Sequence, residues 1–330
     1  MEAIEVLPTD AAVTGDAVAA LESPAPDPLT PEIARYAITR RRVLQTLLYG
    51  TAGMALYAGE IERHWIDIVH RDIRIAGLPE AFDGMTIAQL SDIHLDEYTE
   101  PFLLREAVDH INRLQPDMVL LTGDYVSAEL LSKKTSIGAA WQCASLLSSI
   151  KCPQKFAILG NHDIMAGGDA ISEAITSHDI PVLRNAFLPI ERGKSRIWLA
   201  GIDDPVLGKP NPERSIPVSM HNHRPEPVIL MCHAPDFVDE LVDLPLSQSI
   251  ALVLSGHTHG GQVRIPFLGA MHLPPGGRKY IEGWFGLGSM QLYVNRGIGA
   301  VGVPFRFNCR PEITLFRLRA GKAQVPSVKS

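Results

Sequence analysis

The chain has 330 residues, 46% of them hydrophobic, and a formal net charge of −7. This length and apolar content suffice for one large globular domain or two smaller ones. The acidic balance argues against a broad basic surface, so no nucleic-acid partner is expected. The four cysteines are scattered without C-x-x-C spacing, which indicates neither a zinc ribbon nor a dense disulfide framework and predicts buried thiols.

The N-terminal residues fall into two segments. Residues 1–38 are predicted to be a disordered tail, because the first 30 are rich in Ala, Pro, Asp and Thr and lack apolar periodicity. Residues 39–60 begin with "TRRRVLQ" and continue into an uncharged stretch that is short for a membrane span but suits a signal peptide. This segment resembles the twin-arginine export signal, with Arg40 and Arg41 as the recognised pair. The alternative is a buried N-terminal helix with a basic cap.

The export signal implies the twin-arginine export machinery as a partner and a location beyond the cytoplasmic membrane. The stretch "ALYAGE" at 55–60 lacks a clean A-x-A cleavage site, so both cleavage and retention of the segment remain open. If the segment is retained, it anchors the protein facing outward and makes membrane lipid a further partner.

Residues 70–320 alternate short apolar runs with amphipathic stretches. Helices are predicted at 101–115, 127–149, 169–178 and 236–243. Strands are predicted at 73–78, 85–91, 117–123, 155–160, 197–203, 227–233, 250–256, 291–295 and 312–318. Many short strands with helices between them predict a layered α/β domain, whose continuously apolar strands are covered on both faces.

Polar residues that can bind metal follow five of these strands. They are Asp92 and His94 in "SDIHLD", Asp124 in "LTGDYV", Asn161, His162 and Asp163 in "LGNHDI", His233 in "MCHAPD", and His257 and His259 in "SGHTHGG". Open α/β sheets build their sites at the carboxyl ends of strands. A lone H-x-H is most often a polar turn facing water, but five such strand ends favour one shared site.

The motifs D-x-H, G-D, G-N-H-D, a single His after a strand, and G-H-x-H, in this order, resemble the calcineurin-like metallophosphoesterase superfamily. The resemblance covers residues 70–318. The stretches "GHTHGGQVRIP" and "NRGIGAVGVPFRFNCRPEITLFRL", together with the N-terminal arginines, are similar to its exported bacterial phosphodiesterase-like branch. The resemblance implies a four-layer α-β-β-α fold, in which a layered β-sandwich is flanked by helices.

The resemblance also implies a reaction and its residues. Two divalent metal ions neutralise the phosphoester and acidify a bridging water, which then attacks as hydroxide. Oxygen and imidazole ligands without thiolate suit Mn²⁺, Fe or Zn²⁺. His162 is implied as the group that stabilises or protonates the leaving oxygen. Asp124 is implied as the bridge between the metals, with Asp92, His94 and His259 completing one site and Asn161, His233 and His257 the other.

Other polar residues near these motifs are given structural roles or two alternatives. Asp163 orients His162 or caps the following helix, and Arg296 reaches a substrate phosphate or forms an ordinary ion pair. Structural positions are predicted for the rest, namely a turn at Asp203 and Asp204, a buried thiol at Cys232, and a solvated loop at His221 and His223.

The expected substrate is a phosphodiester or pyrophosphate of the cell envelope with an apolar or lipid-linked portion. The segment 263–290 motivates this expectation, since it follows a metal-binding turn and combines Phe267, Leu268, Trp284 and Phe285 with Arg278 and Lys279. In the alternative, these aromatic residues pack the segment down. The competing functions are a phosphomonoesterase of similar fold, a non-catalytic metal-binding envelope protein, and a nuclease, which the acidic charge disfavours.

Overall fold

The computed structural model describes residues 39–95, 98–128, 133–221 and 226–322. The tail predicted for residues 1–38 and the position of His223 lie outside this range. The chain divides into a unit of residues 1–48 and a unit of residues 49–330, and both large β-sheets belong to the second unit.

The described residues form six α-helices and thirteen strands. The helices are α1 (Arg40–Leu56), α2 (Pro101–Leu114), α3 (Lys133–Ser148), α4 (Asn161–Thr176), α5 (Pro212–Ser215) and α6 (Val238–Val242). The strands are β1 (Asp67–Ile75), β2 (Thr86–Leu90), β3 (Met118–Leu121), β4 (Lys155–Ala157), β5 (Ala186–Arg192), β6 (Ser195–Gly201), β7 (Val228–Met231), β8 (Ile250–Ser255), β9 (Arg264–Ile265), β10 (Gly269–Ala270), β11 (Gly283–Leu287), β12 (Met290–Val294) and β13 (Glu312–Ala320).

Helix α1 carries the predicted export segment. None of its residues is buried, so the alternative of a buried N-terminal helix is wrong. Across the described ranges, no helix combines the length and the apolar character that crossing a membrane requires.

Two large sheets form the body of the second unit. The first has the order β1-β13-β2-β3-β4, and the second has the order β11-β12-β8-β7-β6-β5. Strands β2, β3 and β4 run parallel, as do β12, β8, β7 and β6. Parallel strands end at the same edge of their sheet, so the loops that follow them gather there.

The side chains of the central strands alternate between two apolar cores, as the strand period of two requires. In β2, Ile87 packs between the two sheets, whereas Ala88 packs against α2, α3 and α4. In β7, Ile229 packs between the sheets and Leu230 packs on the outer side, with α6. Both sheets are therefore covered on both faces, which confirms the layered β-sandwich flanked by helices.

Some elements differ from the sequence prediction. Helix α4 begins at Asn161, eight residues before the predicted start near 169, because a kink at Gly167 (φ 128°) interrupts its helical pattern. Strand β5 contains Pro189 and β11 contains two glycines, residues that weaken the sequence signal for a strand. Both lie at the edges of the second sheet, where such residues are tolerated.

Candidate metal centre

The structure brings together all seven residues predicted as metal ligands, at the carboxyl ends of five parallel strands. Asp92 and His94 follow β2, Asp124 follows β3, Asn161 follows β4, His233 follows β7, and His257 and His259 follow β8. The two sheets are joined directly at this edge, since the backbone N–H of His257 donates to both carboxylate oxygens of Asp92 at 2.9 and 3.0 Å.

Asp92, His94 and His259 form the first group of metal-binding side chains. One ligand atom from each lies within 4.8 Å of the others, and all three residues are buried. Nε2 of His259 is 3.1 Å from Nε2 of His94 and 3.5 Å from Oδ1 of Asp92. A group of two imidazoles and one carboxylate suits a divalent transition metal.

Asp124, His233 and His257 form the second group, with the same spacing and burial. Oδ2 of Asp124 is 3.0 Å from Nε2 of His233 and 3.6 Å from Nε2 of His94, which belongs to the first group. The Asp124 carboxylate therefore lies between the two groups, where a bridging ligand is required.

The imidazoles are held through the ring nitrogens that face away from the centre. Nδ1 of His233 donates to the carbonyl of Thr122 at 2.7 Å, and Nε2 of His257 donates to the carbonyl of Pro275 at 2.8 Å. Nδ1 of His94 lies 3.0 Å from Oγ of Ser127. Such contacts fix the tautomer of metal-binding histidines and leave the other nitrogen available.

Asn161 supplies a further observation that fits a metal. Its Oδ1 is buried and accepts no hydrogen bond from any described residue. An unpaired buried amide oxygen costs about 1–3 kcal/mol, and coordination of a cation would remove that cost. The amide lines the same cleft as Asp124 and His257, which agrees with its predicted place in the second group.

The electrostatics of the centre also favour bound cations. Burial raises the pKa of Asp92 to about 6, and burial followed by the proximity of His162 lowers the pKa of His94 to about 3. Burial raises the pKa of Asp124 too, but His233 and His162 together hold it well below its usual range. Metal coordination requires charged carboxylates and neutral imidazoles, and it offsets the cost of burying such charges.

Five of these ligands have left-handed backbone conformations that non-glycine residues rarely adopt. The φ angles are 49° for Asp92, 49° for His94, 57° for Asp124, 74° for His257 and 51° for His259. Each such conformation costs on the order of 1 kcal/mol and persists only where surrounding contacts impose it. The site is thus held in a strained geometry by the sheets behind it.

Two glycines allow the strands to meet at the centre. A Cβ on Gly160 would overlap the Asp124 carboxylate and lie 2.7 Å from Nε2 of His233. A Cβ on Gly256 would overlap Oδ2 of Asp92. Any side chain at these two positions would occupy the space of a metal ligand.

His162 lines the cleft beside the ligands, as its predicted role requires. The backbone N–H of Ala128 donates to its Nδ1 at 3.4 Å, so Nε2 is the nitrogen that carries the proton. Its ring stands edge-on to that of His94, with 4.8 Å between the centroids. A protonated Nε2 at the cleft surface is able to donate to a substrate oxygen.

Asp163 caps helix α4 and does more than the sequence indicates. Its carboxylate accepts the backbone N–H of Gly160 at 2.9 Å, of Asp124 at 2.8 Å and of Tyr125 at 2.9 Å. The hydrogen bonds of the Asp163 carboxylate with described residues all go to backbone N–H groups and not to the ring of His162, so the alternative that Asp163 orients this ring is not supported. Asp163 instead fixes the turn that carries the bridging residue Asp124.

Arg306 received no role from the sequence, yet it is fully buried behind His259. Its guanidinium donates to the carbonyls of Arg296, Gly299 and Cys309 at 2.9, 3.0 and 3.2 Å, and Nη2 lies 3.3 Å from Nδ1 of His259. Arg306 is the only charged residue between Arg296 and Arg310. The sequence signal that could have identified Arg306 is a single charged residue within an otherwise uncharged segment.

The structure also shows which contacts the remaining polar residues make. Arg296 pairs with Glu312 at 2.6 Å and with Asp67 at 3.1 Å, so it forms ion pairs rather than reaching the cleft. Asp203 and Asp204 accept backbone N–H groups within residues 206–209, which confirms the predicted turn. The four cysteines are buried, as expected. His221 is half-buried and contacts the carbonyl of Ile216, so it is not a solvated residue.

A cleft of about 430 Å³ lies over the two groups. Its floor includes Asp124, Asn161, His162, His257 and His259. One wall of the cleft is lined by Met271, Val301 and Val303. Phe267 and Leu268 are exposed at the tip of the β9–β10 hairpin, whose base at Val263 and Met271 lines the cleft. These five apolar residues, Phe267, Leu268, Met271, Val301 and Val303, are here called the apolar rim. The side-chain amide of Gln262 joins the two rim segments, donating to the carbonyls of Val301 and Val303 at 3.0 Å.

Only part of the predicted segment 263–290 forms this rim. Trp284 packs against the core between the sheets and Phe285 against the outer core, because both lie on the edge strand β11. Lys279 pairs with Asp239 at 2.8 Å. The expectation that Trp284 and Phe285 rim the site is therefore wrong, whereas Phe267 and Leu268 project from the tip between β9 and β10.

The chain is similar in sequence to a known protein family and to several known proteins. The family model described as calcineurin-like phosphoesterase matches residues 85–261. The uncharacterized metallophosphoesterase YkuE of Bacillus subtilis is 34% identical over 86% of this chain and 98% of its own. Phosphodiesterase YaeI of Escherichia coli is 31% identical over 85% of this chain and 99% of its own. The solved calcineurin-like phosphoesterase YfkN from Bacillus subtilis aligns with a TM-score of 0.44 and 14% identity, over 65% of this chain and 81% of that one.

Proposed function

The chain belongs to the calcineurin-like phosphoesterase family, and we propose that this metal-dependent phosphoesterase cleaves phosphodiester or pyrophosphate bonds in substrates of the cell envelope that carry a lipid portion. The position of the Asp124 carboxylate between the two ligand groups carries the assignment of a two-metal hydrolase. The family uses a dinuclear metal centre, and this chain presents two groups of Asp and His for it.

The ligands proposed from the geometry are Asp92, His94 and His259 for one ion and Asn161, His233 and His257 for the other, with Asp124 shared. Two bound cations supply charge neutralisation and an acidified water as nucleophile. These residues would hold the ions, and His162 would donate the proton on Nε2 to the leaving oxygen.

The apolar rim supports a lipid portion in the substrate. Phe267 is fully exposed and Leu268 is 76% exposed at the tip of the β9–β10 hairpin, and Met271, at the base of that hairpin, is 62% exposed and lines the cleft. Exposed apolar residues next to a polar site mark a surface that contacts an apolar ligand. A phosphoester on the cleft floor would place an attached acyl chain against this wall.

The proposed location is outside the cytoplasmic membrane, reached through the twin-arginine export machinery. The arginines Arg40 and Arg41 and the uncharged stretch from Val43 to Gly59 support this proposal. A retained segment would keep the enzyme next to membrane lipid, where lipid-linked phosphoesters occur. Mn²⁺, Fe and Zn²⁺ remain the proposed metals, since the ligands contain no thiolate.

The test compares p-nitrophenyl methyl phosphate with p-nitrophenyl octyl phosphate, together with the monoester p-nitrophenyl phosphate. We expect kcat/KM to be highest for the octyl diester, because each buried CH₂ contributes about 0.8 kcal/mol. Faster hydrolysis of the monoester would identify a phosphomonoesterase. A protein that holds two metals and hydrolyses none of the three would be a non-catalytic binding protein.

A matched pair of variants separates the rim from the chemistry. The double change Phe267→Ser with Leu268→Ser should lower kcat/KM for the octyl diester about tenfold and leave that for the methyl diester unchanged. Val218→Ser is the control, since Val218 is 80% exposed but lies outside the rim. Equal loss on both diesters, or no loss on either, contradicts lipid recognition by the rim.

A further inference from the structure

We propose that Asp236 is a positioning residue for the metal centre, acting through the loop 274–280 and the carbonyl of Pro275 on the ring of His257. This inference rests on the metal centre of the proposed function. It concerns a carboxylate that is not among the metal-binding groups and contacts no metal-binding side chain.

The Asp236 carboxylate binds the loop through its backbone. Oδ2 accepts the N–H of Arg278 at 2.8 Å, and Oδ1 accepts the N–H groups of Lys279 and Tyr280, both at 3.1 Å. In return, the backbone N–H of Asp236 donates to the carbonyl of Gly276 at 2.9 Å. These hydrogen bonds hold four of the five residues 276–280, which lie in a loop that has neither helix nor strand.

The same loop orients His257. The carbonyl of Pro275, next to the clamped Gly276, accepts the Nε2–H of His257 at 2.8 Å. This contact assigns the proton to Nε2 and leaves Nδ1 as the nitrogen that can bind a metal with Asp124 and His233. Gly277 is packed so closely that a Cβ there would lie 3.2 Å from Cδ2 of the His257 ring. The loop therefore fixes both the tautomer and the place of the ring.

The sequence position of Asp236 links the two ligands of one metal group. It lies three residues after His233, in "HAPD", on the turn Pro235–Phe237 that follows β7 and His233. His257 comes from the neighbouring strand β8. Asp236 thus ties the backbone that carries His233 to the loop that orients His257, and it sets the spacing of these two imidazoles.

Asp239 provides a matched control on the same stretch of chain. Its carboxylate holds the side chains of Lys279 and Tyr280, at 2.8 Å each, but accepts no backbone N–H of the loop among the hydrogen bonds of the described residues. Asp236→Ala removes the backbone clamp, whereas Asp239→Asn removes only side-chain contacts. Asp236→Asn keeps the volume and one acceptor oxygen, and it serves if Asp236→Ala does not fold.

The first measurement uses the metal-free protein with ¹⁵N-labelled histidine at pH 8, where long-range ¹H–¹⁵N spectra report the tautomer of each ring. His257→Asn identifies the signal. We expect a pure Nε2–H tautomer for His257 in the wild type and in Asp239→Asn, and a mixture in the Asp236 variants. A pure Nε2–H tautomer in folded Asp236→Ala would overturn the proposal.

The second measurement is calorimetric titration of Mn²⁺ or Zn²⁺ into the metal-free variants. Asp236→Ala should weaken one of the two binding events by about 10- to 100-fold and leave the other unchanged, and Asp239→Asn should leave both unchanged. Combining Asp236→Ala with His257→Asn should weaken binding no more than His257→Asn alone. Additive losses, or equal losses in the Asp236 and Asp239 variants, would overturn the proposal. If the wild type binds no metal but the His257 tautomer still differs between the wild type and Asp236→Ala, the proposed function is refuted and the positioning role of Asp236 on His257 is retained.

Discussion

The carboxylate of Asp163 accepts a hydrogen bond from the backbone N–H of Asp124 at 2.8 Å, so the residue that caps α4 also holds in place the residue proposed to bridge the two metals. Asp163→Ala would leave three buried N–H groups without an acceptor. Each costs about 1–3 kcal/mol, and we expect a loss of at least about 3 kcal/mol in the free energy of unfolding, together with weaker metal binding. Urea unfolding and metal analysis measure both effects.

The control is Asp169→Ala on the same helix, where the carboxylate side chain is 99% exposed and pairs only with Arg184. This change should alter the free energy of unfolding by less than about 1 kcal/mol. Similar losses of unfolding free energy in the two variants would contradict the stabilising role of the three hydrogen bonds that Asp163 accepts.

Asp124→Asn should remove the charge that both metal ions share. The carboxylate lies 3.0 Å from His233 and 3.6 Å from His94, so no neighbouring group can replace its bridging contact. We expect loss of bound metal from the purified protein and activity near background. Metal content per chain is the measurement, and a variant that retains two ions and the wild-type rate would contradict the assigned bridge.

His162→Asn should have the opposite pattern, with metal retained and rate lost. The expected decrease in kcat is about 10²- to 10⁴-fold for substrates with poor leaving groups, because these need a proton in the transition state. For p-nitrophenyl esters the decrease should be much smaller, since p-nitrophenolate leaves without one. Wild-type rates on alkyl diesters would exclude His162 as the proton donor.

His257→Asn should change how the metal-free protein responds to acid. Burial, followed by the proximity of His233, lowers the pKa of His257 from 6.5 to about 4. The unfolded chain therefore binds a proton that the folded chain does not, and the stability that neutral His257 contributes is complete above pH 6.5 and is lost as the pH falls toward 4.

Between pH 7 and pH 4.5, the wild type should lose about 2 kcal/mol more unfolding free energy than His257→Asn. Asparagine suits the left-handed backbone at this position, where φ is 74°, so the variant should fold. Urea unfolding at the two pH values provides the comparison. Equal losses in both proteins would show that His257 is not held neutral by burial.

Arg40→Lys combined with Arg41→Lys should leave the protein in the cytoplasm, folded and active, because the export machinery reads the arginine pair. Arg42→Lys is the matched control, since it changes the adjacent arginine and keeps the pair. Fractionation of cells with an antibody against the protein gives the measurement. Export that survives the double change would refute the signal.

The ligands were predictable because each comes directly after an apolar strand, and parallel strands bring their carboxyl ends together. Asp163 was predictable as a cap from its place in the first turn of α4, but its bonds to Asp124 and Tyr125 join residues 39 and 38 positions apart, respectively. Arg306 and Asp236 act on backbone carbonyls and N–H groups, which every residue carries. Side-chain identity alone therefore gives no sign of what they bind.

The apolar rim shows a second limit on what the sequence can predict, namely which aromatic side chains are exposed. Phe267 and Trp284 are both aromatic and lie 17 positions apart in the same segment. Phe267 projects from a tight turn. Trp284 lies in the edge strand β11 and packs against the core between the sheets, and the two glycines of β11 weakened the sequence signal for that strand. Whether an aromatic side chain is exposed depends on the partner of its strand, and that partner is fixed by the tertiary fold.

The position of β13 in the first sheet determines when the enzyme can mature. This strand lies between β1 and β2, although Glu312 pairs with Asp67, 245 positions earlier in the chain. During synthesis, β1 and β2 therefore emerge from the ribosome long before the strand that joins them. Until then, both present unpaired edges that other chains can bind, so a nascent chain stalled before residue 312 is prone to aggregate. Arg306, which lies behind His259, is also made late, so the support behind the His259 ring is added only after strands β1 to β12 have been synthesised.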